Sequence, residues 1–183
     1  EALREGDKNS LAHGSSIAAR RTMTPVSHDE ERGLQPVLVS ACLLGRECRY
    51  DGAHNSDALL RGELEERGER AIPFCPEEHG GLGTPRPPAW IESGDAEAVL
   101  AGEARVVTDE GQDVTANFLD GARGALDACE ESGAKRAYLK ERSPSCGACS
   151  THVAGALTDG PGVTTALLLS AGIEVQGVAG RHS

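Results

Sequence analysis

The sequence predicts an α/β fold, a single three-layer domain on a mainly parallel, Rossmann-like sheet. Short β-branched apolar runs alternate with helical patterns along the chain, the order that builds parallel strands covered on both faces. Glycine- and proline-rich loops follow several of those runs, and in open α/β sheets such loops at the strand ends carry ligands. Three of them begin with or contain a cysteine.

Residues 1 to 34 read as a disordered tail, because Gly, Ser, Asp, Glu and Arg occur there without a sustained apolar period. Met23 lies inside this stretch, so the first 22 residues are set aside as an extension. The domain is expected over residues 35–183. Pro36–Ala41 is a short apolar run ending in small residues, as a buried parallel strand does. A polar, glycine-containing loop covers Cys42–Asn55, and Ser56 or Asp57 caps a helix running to about Arg67. Ala71–Cys75 reads as a second strand and Pro76–Pro88 as a long loop, too long to be idle. Ala104–Thr108 reads as a third strand. Asp113–Ser132 is helical, with Val114, Phe118, Ala122, Ala125, Leu126 and Cys129 on one face and Gly133 as its stop. Arg136–Lys140 is a fourth strand, followed by a turn-rich loop to Gly147. Val163–Ala171 is a short apolar helix halted by Gly172, and Ile173 with Val175 forms a last strand.

Composition limits the function. A chain of 183 residues suits one compact domain and a tail, and buries enough surface to fold without disulfides. A net charge of −11 argues against tracking phosphates or docking on anionic lipid. Aromatics make up 3%, too few for a base-stacking platform. No run of about 18 apolar residues is present, and no charged segment leads into an apolar signal core. The chain is therefore expected to be cytoplasmic. There, its six cysteines are first read as metal ligands or reactive thiols.

Strand ends distant in sequence can bring together Cys42, Cys75 and Cys146. Three thiolates converging there make a soft site, suited to an iron–sulfur cluster or to zinc. Buried structural cysteines are the other reading. Glu77 and Glu78 put carboxylates beside Cys75, fit for general acid–base work if a substrate binds there, and otherwise solvated loop charges. Arg46, Arg49 and Arg86 offer planar donors to a planar ligand, or only solubility. Cys146 and Cys149 form a CxxC without a second one, which weakens a zinc-ribbon reading. Cys129 is expected in the core, and His54, His79 and His152 as structural residues. Gly160–Thr165 reads as a plain helix entry, since it lacks the full phosphate-loop pattern.

Several motifs occur in order: Val39–Gly45, Cys48–Gly52, Cys75–Glu77, Gly80–Leu82, Thr84–Pro88, Asp113–Thr115, Leu139–Glu141 and Ser143–Gly147. Together they resemble a bacterial family of formerly unknown function that includes the 2-thiouracil desulfidases, over residues 36 to 176. The resemblance implies a [4Fe-4S] cluster held by three cysteines, here Cys42, Cys75 and Cys146, with one iron left open for the sulfur of a thiolated substrate. It implies Glu77 and Ser143 as the catalytic residues. It implies a desulfidase that replaces C=S by C=O on a 2-thiouracil-like pyrimidine or similar small thio-compound, without net redox change. The partners expected are that small thiolated substrate and, at most, a second copy of the chain in a homodimer, with no nucleic acid and no membrane. Cys48 or Cys149 as a fourth ligand would close the site. The alternatives are a zinc-binding structural module using those same cysteines and a cysteine-based redox sensor without turnover.

Overall fold

The computed structural model describes residues 33–180. The tail expected over residues 1–34 falls almost wholly outside them. Two four-stranded sheets are present. The first contains β1 (Gln35–Ser40), β2 (Glu69–Phe74), β5 (Arg136–Lys140) and β8 (Glu174–Val178), in the spatial order β2-β1-β5-β8, with every neighbouring pair parallel. The second contains β3 (Ala89–Ile91), β4 (Val106–Thr108), β6 (Ser150–Val153) and β7 (Ala156–Asp159), ordered β4-β3-β6-β7. There β3 pairs antiparallel with β4 and parallel with β6, and β6 and β7 form an antiparallel hairpin.

Three apolar clusters explain the layering. In β1 successive side chains point to opposite faces. Val37 and Val39 pack on one face with Leu60 and Leu64 of α1 (Ala58–Glu66). Leu38 packs on the other with Ala125 and Cys129 of α4 (Thr115–Ser132) and Leu168 of α5 (Val163–Ser170). Cys129 is therefore a core residue, as expected. The N-terminal half of α4, with Phe118 and Ala122, packs instead under the second sheet beside Val99 of α3 (Ala96–Ala101). Among the described residues no helix is long and apolar enough to cross a membrane.

Several sequence expectations are met closely. Asp57 caps α1 through its carboxylate, which accepts from the Leu59 and Leu60 amides. Gly133 ends α4 in the left-handed conformation, with φ of 75°. Others are corrected. The strand expected over Ala104–Thr108 is only Val106–Thr108, and it lies antiparallel in the second sheet. The strand Ala89–Ile91, the helix Ala96–Ala101 and the hairpin β6–β7 escaped the sequence reading, since each is too short to show a period. The long loop after β2 opens with a helical turn, α2 (Pro76–His79). Proline at its first position sets φ for the helix and gives up an amide that would lack a partner there anyway.

That turn packs unusually close to α4. A Cβ on Gly121 would overlap the Pro76 carbonyl, one on Gly80 the Asn117 carbonyl, and one on Gly124 the His79 ring. Asn117 Nδ2 donates to the Gly80 carbonyl at 2.7 Å and locks the contact. Gly121→Ala is therefore expected to cost about 1–3 kcal/mol through overpacking. It should lower the midpoint of thermal unfolding by several degrees and displace α2. A midpoint equal to that of the parent chain would show that α2 does not depend on this approach.

Candidate functional site

Register places the cysteines. Ser40 and Phe74 are paired at the ends of β1 and β2, so Cys42 and Cys75 leave the sheet from adjacent strands. Cys42 sits in the 3-10 turn Ala41–Leu44, which Gly45 closes at φ of 90°. The Cys42 carbonyl also accepts from the Asn55 amide at 2.9 Å, which folds the Cys42–Asn55 loop back on the strand end. Cys75 directly follows β2 and is the cap residue of α2. β5 lies on the other side of β1, and Ser40 Oγ accepts from the Lys140 amide at 3.0 Å, tying those two strand ends together.

The loop after β5 is pinned from two directions. Ser143 Oγ accepts from the Ser145 and Cys146 amides at 3.2 and 3.0 Å. The first turn of α5 then binds the loop: the Val163 amide donates to Pro144, the Thr164 amide to Ser145, and Thr165 Oγ1 to the Cys146 carbonyl. The helix entry at Gly160–Thr165 thus anchors the cysteine loop through its amides.

Cys42, Cys75 and Cys146 line one cavity of about 450 Å³, together with Glu77 and Ser143. Cys48 lines it too and is buried, whereas Cys149 is exposed and absent from the lining. All six thiols are free. Hydrogen bonding from the Cys48 thiol holds Cys42 below the ordinary thiol range, against the effect of burial and with help from Asn55. The same donor lowers Cys75, again against burial and with help from the Glu78 amide. Cys48 itself is pushed far up by its contacts with Cys42 and Cys75 and by burial. Burial raises Cys146, partly offset by a hydrogen bond from Ser40.

Glu77 is held by Arg86, whose Nε and Nη2 lie 2.8 and 2.7 Å from Oε2. Both side chains are mostly buried, at 16% and 8% exposed. Arg86 also donates to the Cys48 carbonyl at 3.0 Å and to the Gly83 carbonyl at 3.1 Å. Arg49 is spent on Asp51 and on Asn55 Oδ1. Arg46, 61% exposed, pairs with Glu78 at 2.9 Å. Of the arginines read as ligand donors, Arg49 and Arg86 therefore fasten the loops, Arg86 orients Glu77, and Arg46 pairs with Glu78 at the surface.

Two lining residues carried only a weak sequence signal. Glu141 accepts from the Cys149 and Ser150 amides, and a Cβ on Gly177 would strike its carboxylate. Lys140 donates from Nζ to the Glu141 carbonyl at 2.8 Å, and burial lowers its pKa. Both lay inside the Leu139–Glu141 motif, but nothing in their local sequence marks them as site residues. Trp90, Tyr50 and His152 complete the wall. Of the other histidines, His79 stacks on Phe74 with ring centroids 5.0 Å apart, and His54 Nδ1 accepts from the Ser56 amide.

Among the described residues, one set of donors lies close enough for a single ion: Cys48, Cys75 and Glu78. Of the two cysteines named as a fourth thiol in the zinc alternative, Cys149 faces solvent away from the cavity, whereas Cys48 lines it.

The chain is similar to known proteins over most of its described residues. A solved structure described as the [4Fe-4S]-dependent thiouracil desulfidase TudS, of the type DUF523Vcz, shares 43% identity and a TM-score of 0.66, over 78% of this chain and 90% of that one. The uncharacterized protein YbbK of Bacillus subtilis (strain 168) is 44% identical over 142 residues, 76% of this chain and 93% of that protein. The 2-thiouracil desulfurase family matches residues 37–178, from the middle of β1 to the end of β8. With the match running through both sheets and every loop of the cavity, the chain belongs to the 2-thiouracil desulfurase family.

Proposed function

We propose that the protein is a [4Fe-4S]-dependent desulfidase that replaces C=S by C=O on a thiolated pyrimidine of the 2-thiouracil type, or on a similar small thio-compound. Water supplies the oxygen and hydrogen sulfide leaves, so no electrons are exchanged. The observation that carries this reading is that three thiols from three adjacent strand ends open on the same cavity as Glu77 and Ser143.

An all-sulfur donor set fits an iron–sulfur cluster. On this reading Cys42, Cys75 and Cys146 hold it. When bound it supplies an iron with an open position, a Lewis acid for a soft sulfur atom. The residues around it have defined tasks. Glu77 is tied to Arg86 through Oε2, which leaves Oε1 to take a proton from water. Ser143 Oγ accepts two amides, which leaves its hydroxyl proton to donate to the substrate. Trp90 and Phe74 give the cavity apolar lining for a planar ring, and Lys140 adds a positive charge to it in an otherwise acidic protein. A cytosolic, reducing setting suits a chain whose six cysteines all stay free. The net charge of −11 leaves nucleic acid and anionic membranes out of this reading.

Protein purified without oxygen is expected to be brown and to carry iron and acid-labile sulfide. Each of Cys42→Ser, Cys75→Ser and Cys146→Ser should lose most of both, whereas Cys149→Ser should keep them. A full cluster in any of the first three variants would remove that residue from the ligand set. Glu77→Gln should retain the cluster spectrum yet lose about 10²- to 10⁴-fold in turnover of 2-thiouracil, the usual contribution of a positioned acid–base group. Parent-level sulfide release by Glu77→Gln would end its assignment. Arg86→Lys keeps the charge but not the two-point grip on Glu77. It is expected to lower kcat at least tenfold with the cluster intact, and an unchanged kcat would show that Arg86 does not position the carboxylate.

A further inference from the structure

Cys48 is the one buried thiol of the cavity to which the proposed chemistry gives no task. Its sulfur, the Cys75 sulfur and a Glu78 carboxylate oxygen all lie within 4.8 Å of one another. Local structure produces this grouping. Cys75 caps α2 and Glu78 is the third residue of that turn, so the two stand at the same end of it. Cys48 reaches them from the facing loop, where its carbonyl is held by Arg86 at 3.0 Å. Glu78 is oriented by Thr84 Oγ1, which donates to Oε1 at 3.2 Å. Its counter-charge, Arg46, is 61% exposed, so the guanidinium can move into water when a cation takes its place.

Two thiols and one carboxylate suit zinc, which takes sulfur at about 2.3 Å and oxygen at about 2.0–2.2 Å. Donors of one tetrahedral zinc then sit about 3.5–4 Å apart, so a small inward movement of the three side chains closes the set. Magnesium and calcium prefer all-oxygen shells and do not match these donors. The fourth zinc position falls to water.

We propose that the cluster-free chain binds one thiophilic divalent cation, zinc in the first instance, through Cys48, Cys75 and Glu78. Cys75 also belongs to the proposed cluster set. On that reading zinc and the cluster exclude each other, and zinc holds the empty enzyme in a state that cannot be loaded.

The test uses the full chain, stripped of metal by a chelator in oxygen-free buffer, with zinc alone as the probe and a chromophoric chelator as competitor. One equivalent is expected to bind. Cys48→Ser and Glu78→Gln should each weaken it at least tenfold, whereas Cys146→Ser should stay within threefold of the parent. With cobalt in place of zinc, the thiolate-to-metal charge-transfer absorption should halve in Cys48→Ser and persist in Glu78→Gln at saturating metal, a pattern that mere misfolding does not give. Unchanged affinity in both Cys48→Ser and Glu78→Gln, or a tenfold loss in Cys146→Ser, overturns the site. For exclusion, zinc-loaded chain should incorporate less than a tenth of the iron and sulfide taken up by the stripped chain. Equal uptake by both overturns exclusion and leaves the cluster reading standing. Failure of the stripped chain itself to take up a cluster overturns the cluster reading and leaves the zinc affinities as measured.

Discussion

The parallel alignment of β2, β1 and β5 is the constraint on which the rest of the structure depends. Parallel neighbours end at the same edge of a sheet, so the loops that follow them emerge side by side whatever their distance in sequence. Cys42, Cys75 and Cys146 line one cavity because their loops leave the sheet at that edge. A slip of one residue in this register would turn the core side chains of β1 to the wrong faces, so burial of Val37, Leu38 and Val39 enforces the placement of the thiols. The opposite ends of the same strands are clasped across β1. Arg136 at the start of β5 reaches Glu69 at the start of β2 at 2.7 Å, and Tyr138 donates to the same carboxylate at 2.7 Å.

Once the sheet has set the strand ends, backbone contacts aim the side chains. The helical turn after β2 lies so close to α4 that only glycine fits at Gly80, Gly121 and Gly124. That approach turns Glu77 toward the cavity wall, where Arg86 receives it. The loop after β5 depends on α5 in the same way, through amides that would otherwise lack partners at a helix start. The site is thus built from short loops fastened to two helices, a preorganised arrangement of the kind that positioned acid–base chemistry requires.

Electrostatics inside the cavity runs against the charge of the whole molecule. The chain carries a net −11, yet Arg49, Arg86 and Lys140 all line the cavity. Arg86 balances Glu77, and the neighbouring Cys48 thiol favours the charged forms of Cys42 and Cys75. The buried Glu77 carboxylate is tolerated because a guanidinium donates to it. The arginines therefore serve the cavity by compensating and orienting its anions.

Much of the architecture was legible in the sequence because its long elements follow from local rules. The β-branched run of β1, the short apolar core of β5, the periodic face of α4 and the stops at Gly133 and Gly172 are properties of neighbouring residues, and these elements formed where those rules put them. The motif set around Cys42, Cys75 and Cys146 was equally visible. Most of the second sheet was not, since β3, β6 and β7 are three or four residues long and acquire their conformation only by pairing with distant strands, and the antiparallel placement of β4 depends on the same pairing. Nor did spacing reveal that Arg86 grips Glu77, that Cys48 faces the cavity while Cys149 faces water, or that Glu141 holds the last loop. Those facts depend on contacts between residues far apart along the chain. Residue types and their order determined what chemistry the protein can hold, and only the packing of sheet on helix decided which groups touch.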